Sequence, residues 1–168
     1  MVEQSLSARH AFNAEDTEEY PIVLAEITPA GATEAVLISS EPAQRLSTDP
    51  LRYGLVHLGR EYQWVMMSAS VPDDQEGTPP ATTLIFANVA EDMAATARGV
   101  TPGTQAKVVI KVVLSGAPNE VEEVYEMTAV NATYNAQQVS LDCSREPIET
   151  EPWPAQRMTK QQAPGLFR

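Results

Sequence analysis

Cys143, Asp142 and His57 are the side chains from which a thiol nucleophile, a carboxylate and a base could be assembled in this chain. Nucleophilic catalysis requires the base within hydrogen-bond reach of the nucleophile. No flanking signature supports that assembly, and no GxSxG is present. His57 sits in a strand pattern beside Tyr62 and Trp64, and His10 in a short N-terminal helical pattern. A single cysteine closing a β-strand fits a small core residue better than a reactive thiol.

Other constellations fail on spacing. Gly99 to Lys107 resembles a phosphate loop, but the lysine does not follow the second glycine and a helical pattern stands where a strand is required. Asp73, Asp74 and Glu76 lack the alternating oxygen ligands and closing glutamate of a calcium loop, and read as a solvated turn. Glu120, Glu122, Glu123 and Glu126 read as the polar lead-in to a strand. Two histidines and one cysteine form no zinc set by their spacing. The sequence therefore predicts no catalytic residue, no cofactor and no metal.

The elements that would position any site are mostly strands. Ala8, Ala11 and Phe12 at helical spacing behind serines predict a short helix over 5–14, ended by the acidic turn 15–19. PIVLAEIT (21–28) and TEAVLISS (33–40) form a hairpin pattern, and EPAQRLSTDPL (41–51) reads as a connecting loop. Residues 52–58 and 61–71 are two further strands joined across Gly59-Arg60. The second carries Tyr62, Trp64 and Met66 on one face and Val65, Met67, Ala69 and Val71 on the other. A polar loop (72–81) precedes a strand at 82–89. A helix is expected over 90–99, with acids in its first turn, Arg98 in its last and Gly99 beyond. QAKVVIKVVLSG (105–116) is β-branched throughout, and 124–134 with 137–143 form a hairpin around Asn135-Ala136. About eight strands and two short helices result. The predicted class is mainly β, a β-sandwich or small barrel, in a single domain over 1–150.

The 168 residues suffice for one domain with a real core. Thirteen prolines favour turns over long helices. No apolar run is long enough to span a membrane, and the N-terminus has no secretory pattern. One cysteine excludes an internal disulfide, so a reducing compartment is expected. A net charge of −12 argues against ordinary nucleic-acid binding, which draws its affinity from neutralised phosphates.

The remaining unusual stretch is EPWPAQRMTKQQAPGLFR, residues 151–168. Pro152, Pro154 and Pro164 forbid continuous helix and make poor strand. Trp153, Met158, Leu166 and Phe167 prefer not to remain in water, and Arg157, Lys160 and Arg168 add three of the chain's eleven basic residues. The segment reads as an extended arm with Trp153, Met158, Leu166, Phe167 and Arg157 as partner-binding residues. It docks either on its own domain or on a neighbour. The sequence favours the neighbour, because a domain of this length can close its core without a strap.

AFNAEDTEE, then GREYQW with VPDD, then LIFANV, and finally EPWPAQRMTKQQAPGLF give the chain a resemblance, along its whole length, to a family of minor tail proteins of tailed bacteriophages. The resemblance implies a non-enzymatic virion protein, assembled in the bacterial host cytoplasm. It would be a distal-tail or tail-tip ring that joins a long non-contractile tube to the tip complex and conducts DNA. It implies a fold like that of tail-tube subunits, in a homo-oligomeric ring of six copies. The implied neighbours are the tail-tube protein, the tape-measure protein and the tip or hub proteins, with no membrane partner and no specific DNA binding. A negatively lined channel would repel passing DNA; Glu26 and Glu126, on strands, are the expected lining acids, ahead of Asp73, Asp74 and Glu76. The competing expectations are an accessory of a cell-wall-degrading enzyme and an assembly factor absent from the finished particle.

Overall fold

The computed structural model describes residues 5–69, 81–87, 105–135, 137–145 and 165. The chain is mainly β, as the residue alternation predicts, with one helix, α1 (Leu6–Asn13), among the described residues. The strands are β1 (Pro21–Thr28), β2 (Val36–Ser39), β3 (Gln44–Thr48), β4 (Leu51–His57), β5 (Arg60–Trp64), β6 (Met67–Ala69), β7 (Ala81–Ala87), β8 (Ala106–Leu114), β9 (Ala117–Tyr134) and β10 (Gln138–Ser144). They form one sheet in the order β3-β4-β5-β2-β1-β8-β9-β10-β7-β6. Every pairing is antiparallel except that of β2 with β5.

The strand order has two ends, but β5 and β6 are consecutive in the chain, and Val65-Met66 alone separates them. The Val65 N–H donates to the Ser39 carbonyl of β2, and the next residue, Met66, accepts from the Ala87 N–H at the end of β7. Successive residues of extended chain point their backbone groups to opposite sides. The run 60–69 therefore has β2 along one edge and β7 along the other, and the sheet returns on itself.

The side chains agree with that closure. One buried apolar cluster takes Ala25 and Ile27 from β1, Ile38 from β2 and Val65 from the closing run. It adds Leu84 and Phe86 from β7, Val108 and Ile110 from β8, Met127 and Ala129 from β9, and Val139, Leu141 and Cys143 from β10. These residues follow the period-two spacing of one sheet face. The alternate residues of β1, Ile22 and Leu24, belong to a second cluster on the opposite face with Leu55, Tyr62 and Val113. Both faces of β1 are thus buried, which explains its almost unbroken apolar sequence.

Two sequence expectations need correction. Residues 44–48, expected within a connecting loop, form edge strand β3, paired with β4 across a turn containing the cis Asp49–Pro50 peptide. The strand 61–71 is divided at Val65-Met66 rather than continuous, because its two parts pair with different neighbours. The expected helix at 90–99, the loop 72–81 apart from Ala81, which opens β7, and the arm 151–168 apart from Gly165 lie outside the described residues.

Candidate functional site

β9 begins at Ala117, well before the expected start at 124, so Glu120, Glu122, Glu123 and Glu126 all lie within it. Its pairing with β8 slips twice: Val112 faces Glu123, Val113 faces Val121, and Leu114 faces Ala117. Pro118 sits in the second irregularity, where the ladder does not need its missing N–H. The first slip leaves Glu122 as an extra residue, and its side chain is only 5% exposed. Its carboxylate accepts from the Ser5 backbone N–H at 2.9 Å and from the Ser5 hydroxyl at 2.5 Å. Ser5 is the N-cap of α1, and its Oγ accepts from the Ala8 N–H at 3.0 Å. Ala8 is fully buried, so a small apolar side chain and a doubly engaged cap help to hold the helix down.

The second polar centre is Glu26, on β1. Its Oε1 accepts from Lys111 Nζ of β8 and from Tyr62 Oη of β5, both at 2.5 Å, and its Oε2 accepts from Arg60 Nη1 at 2.8 Å. Burial alone would push this carboxyl up. The hydrogen bonds from Lys111, Tyr62 and Arg60 outweigh it and hold Glu26 down at about 2. The same burial, with the Glu26 carboxylate beside it, pushes the Tyr62 hydroxyl well above its ordinary value. Glu26 is therefore a charge already matched by two cations, and it cannot serve as the repulsive lining acid the sequence suggests. Glu126 pairs with Lys107 at 2.9 Å, with both side chains exposed, and such a pair contributes only about 0–1 kcal/mol.

His57 lies beneath Tyr62, edge to face, with ring centroids 5.9 Å apart. The residue is buried, and its Nδ1–H donates to the Pro118 carbonyl at 2.7 Å, since a carbonyl can only accept. Next to it the Leu58 N–H donates to Asn119 Oδ1 at 2.9 Å. These two bonds tie the end of β4 to the irregular start of β9. The His57 Nε2 has no hydrogen-bond partner among the described residues.

The structure does not bring Cys143, Asp142 and His57 together. Cys143 is buried in the inner cluster, as expected of a small core residue. Burial, reinforced by the neighbouring Asp142 charge, pushes its thiol up to about 11. Asp142 points to the other face, where its carboxylate accepts from Thr83 at 3.1 Å and Asn131 at 3.3 Å. His57 belongs with Tyr62. Among the described residues no group of three or more histidine, cysteine, aspartate or glutamate side chains is placed to hold a metal ion. The partner-binding residues expected from the sequence, Trp153, Arg157, Met158, Leu166 and Phe167, all lie outside the described residues.

An apolar surface the sequence only half announced lies beside the closure. Trp64 (38% exposed), Met66 (69%) and Ile85 stand outward there, with Tyr53 on the same face of β4. Ile85 faces Ser68 across the β6–β7 ladder, so it is a diagonal neighbour of Met66. The two-faced pattern of 61–71 signalled that both sides carry apolar groups. It gave no sign that Trp64 and Met66 would adjoin Ile85.

Comparison with protein families and with curated proteins adds no relative: no family model and no curated protein matches the chain.

Proposed function

We propose that this chain is a structural subunit of a long non-contractile bacteriophage tail, forming the distal ring that joins tube to tip and conducts DNA. The reading starts from the sequence resemblance. The observation that supports it best is the combination of a self-closed sheet with a projecting β3–β4 hairpin whose outer edge, residues 44–48, is unpaired among the described residues. A small closed barrel of this kind makes a stiff body. An exposed strand edge offers a neighbouring copy a row of backbone donors and acceptors. Repeated head-to-tail, such a contact closes into a ring when the rotation permits. The subunit would act by assembly, six copies surrounding the channel, with tail-tube, tape-measure and tip proteins as neighbours.

The chain's −12 charge fits a conduit from which DNA is repelled. The exposed acids Glu15, Asp16, Glu18 and Glu19, which form no ion pair among the described residues, are better lining charges than Glu26. Mass spectrometry of purified particles tests the reading, together with the oligomeric state of the isolated protein. The protein should be found in the particle at a ring's copy number. Absence from the mature particle would instead make it an assembly factor, and cleavage of peptidoglycan by the pure protein would make it an enzyme.

A further inference from the structure

We infer that the C-terminal segment of the same chain, residues 152–168, is the occupant of the outward apolar surface formed by Tyr53, Trp64, Met66 and Ile85. This inference does not rest on the ring reading, and it holds equally for a monomer.

The chain leaves its last strand close to the patch. The last strand, β10, ends at Ser144, which pairs with Ala81, the first residue of β7. Ile85 is on that same β7, four residues further along, and Met66 is on the adjoining run. At roughly 3.3 Å per residue along a strand and about 4.8 Å between strands, the patch begins roughly 15–20 Å from the end of β10. Five or six extended residues cover that distance, and Trp153 is nine residues beyond Ser144. A segment tethered this close has an effective concentration in the millimolar range, which a free second copy does not match.

The segment also carries the side chains such a patch would take. Its prolines at 152, 154 and 164 prevent it from burying Trp153, Met158, Leu166 and Phe167 within a helix or hairpin of its own. Both apolar clusters of the body are built from the described strands, and the outward patch groups four exposed apolar side chains close to the end of β10, where these side chains can meet them. Residues 152–168 also hold three cations and no acid, in a chain of net charge −12. Asp142, on the outward face of β10, pairs with Thr83, two residues from Ile85. The charges of segment and body thus attract.

The test is the rate at which peroxide oxidises Met66, read by peptide mass spectrometry in three proteins: the full chain, a chain ending at Glu151, and a full-length Trp153→Ala/Phe167→Ala variant. Met66 should oxidise several-fold faster in both altered proteins, and the full chain's protection should not change on dilution. Equal rates in the full chain and in the double variant would overturn the inference. Protection that fades on dilution would also overturn it, by making a second copy the occupant. If the shortened chain fails to fold, the double variant, which keeps the backbone intact, decides the question.

Discussion

Lys111 and Glu26 meet at 2.5 Å, although they are not opposite one another in the β1–β8 ladder. Lys111 faces Leu24 and Glu26 faces Val109, so the ammonium crosses diagonally to reach the carboxylate. Only 13% of the Glu26 side chain and 21% of Lys111 remain exposed. The pair is fixed from a third strand by Tyr62 and at its rim by Arg60, which is about half exposed. A carboxylate in the middle of an apolar β1 is tolerated because every charge brought there is answered.

Replacing Glu26 by Gln leaves a partly buried Lys111 without its counter-charge. Stability should fall by about 1–3 kcal/mol, read as a lower urea midpoint with an unchanged slope. A Glu26→Gln/Lys111→Met double variant should recover part of the loss. If the double variant loses the full sum of the two single changes, the two groups are not coupled.

The same cluster sets an acid limit. A carboxyl held at about 2 in the fold, against 4.5 ordinarily, contributes stability that is complete above the unfolded value. That contribution disappears as pH falls from about 4.5 through about 2. The wild-type protein should therefore lose stability over this window. The Glu26→Gln variant should show a shallower slope there, measured by urea unfolding at a series of pH values.

Alternation made β1, β2, β7, β8 and β10 legible, since each places apolar residues at period two or is buried on both faces. β3 was hidden because QRLST between two prolines has no alternation, being an edge strand with little to bury. The start of β9 was hidden by its two slips, which break the period where PNEVEE would otherwise show it. The Glu26 centre draws on residues 34, 36 and 85 positions away. No local spacing rule connects side chains that distant. The closure at Val65-Met66 was legible only as a strand apolar on both faces.

Gly54 is required by closeness rather than by backbone conformation. A Cβ built there would overlap the Tyr62 carbonyl oxygen and lie 2.8 Å from Leu46 Cδ1. Gly54→Ala should push β4 from β5 and destabilise the protein by about 1–3 kcal/mol or more. Amide exchange should show protection lost first over 44–57. Unchanged exchange there would mean that the hairpin does not pack against β5 as closely as this contact requires.

The cap of α1 depends on a residue more than a hundred positions away. Ser5→Ala removes the N-cap oxygen and one of the two bonds to Glu122, at a cost of about 1 kcal/mol or somewhat more. Glu122→Gln keeps an acceptor for the Ser5 N–H and should cost less. Faster amide exchange confined to 6–13 in Ser5→Ala is the expected signature. Loss of protection across β8 and β9 as well would show that the helix braces the sheet rather than merely resting on it.

Cys143 provides a readout of whether the inner cluster stays closed. Its thiol is buried among apolar side chains, makes a long 3.9 Å contact to the Leu141 carbonyl, and is pushed up to about 11. The reactive thiolate is therefore scarce at neutral pH, and access requires the sheet to open. Alkylation of the native protein should be slow and should accelerate sharply near the urea midpoint. Cys143→Ser places a hydroxyl among apolar side chains, and should cost about 1–3 kcal/mol. If the tail-ring reading holds, particles carrying Cys143→Ser should infect normally once assembled, with any loss tracking stability. Assembled, normally folded particles that fail to infect would give this thiol a chemical role that its burial argues against.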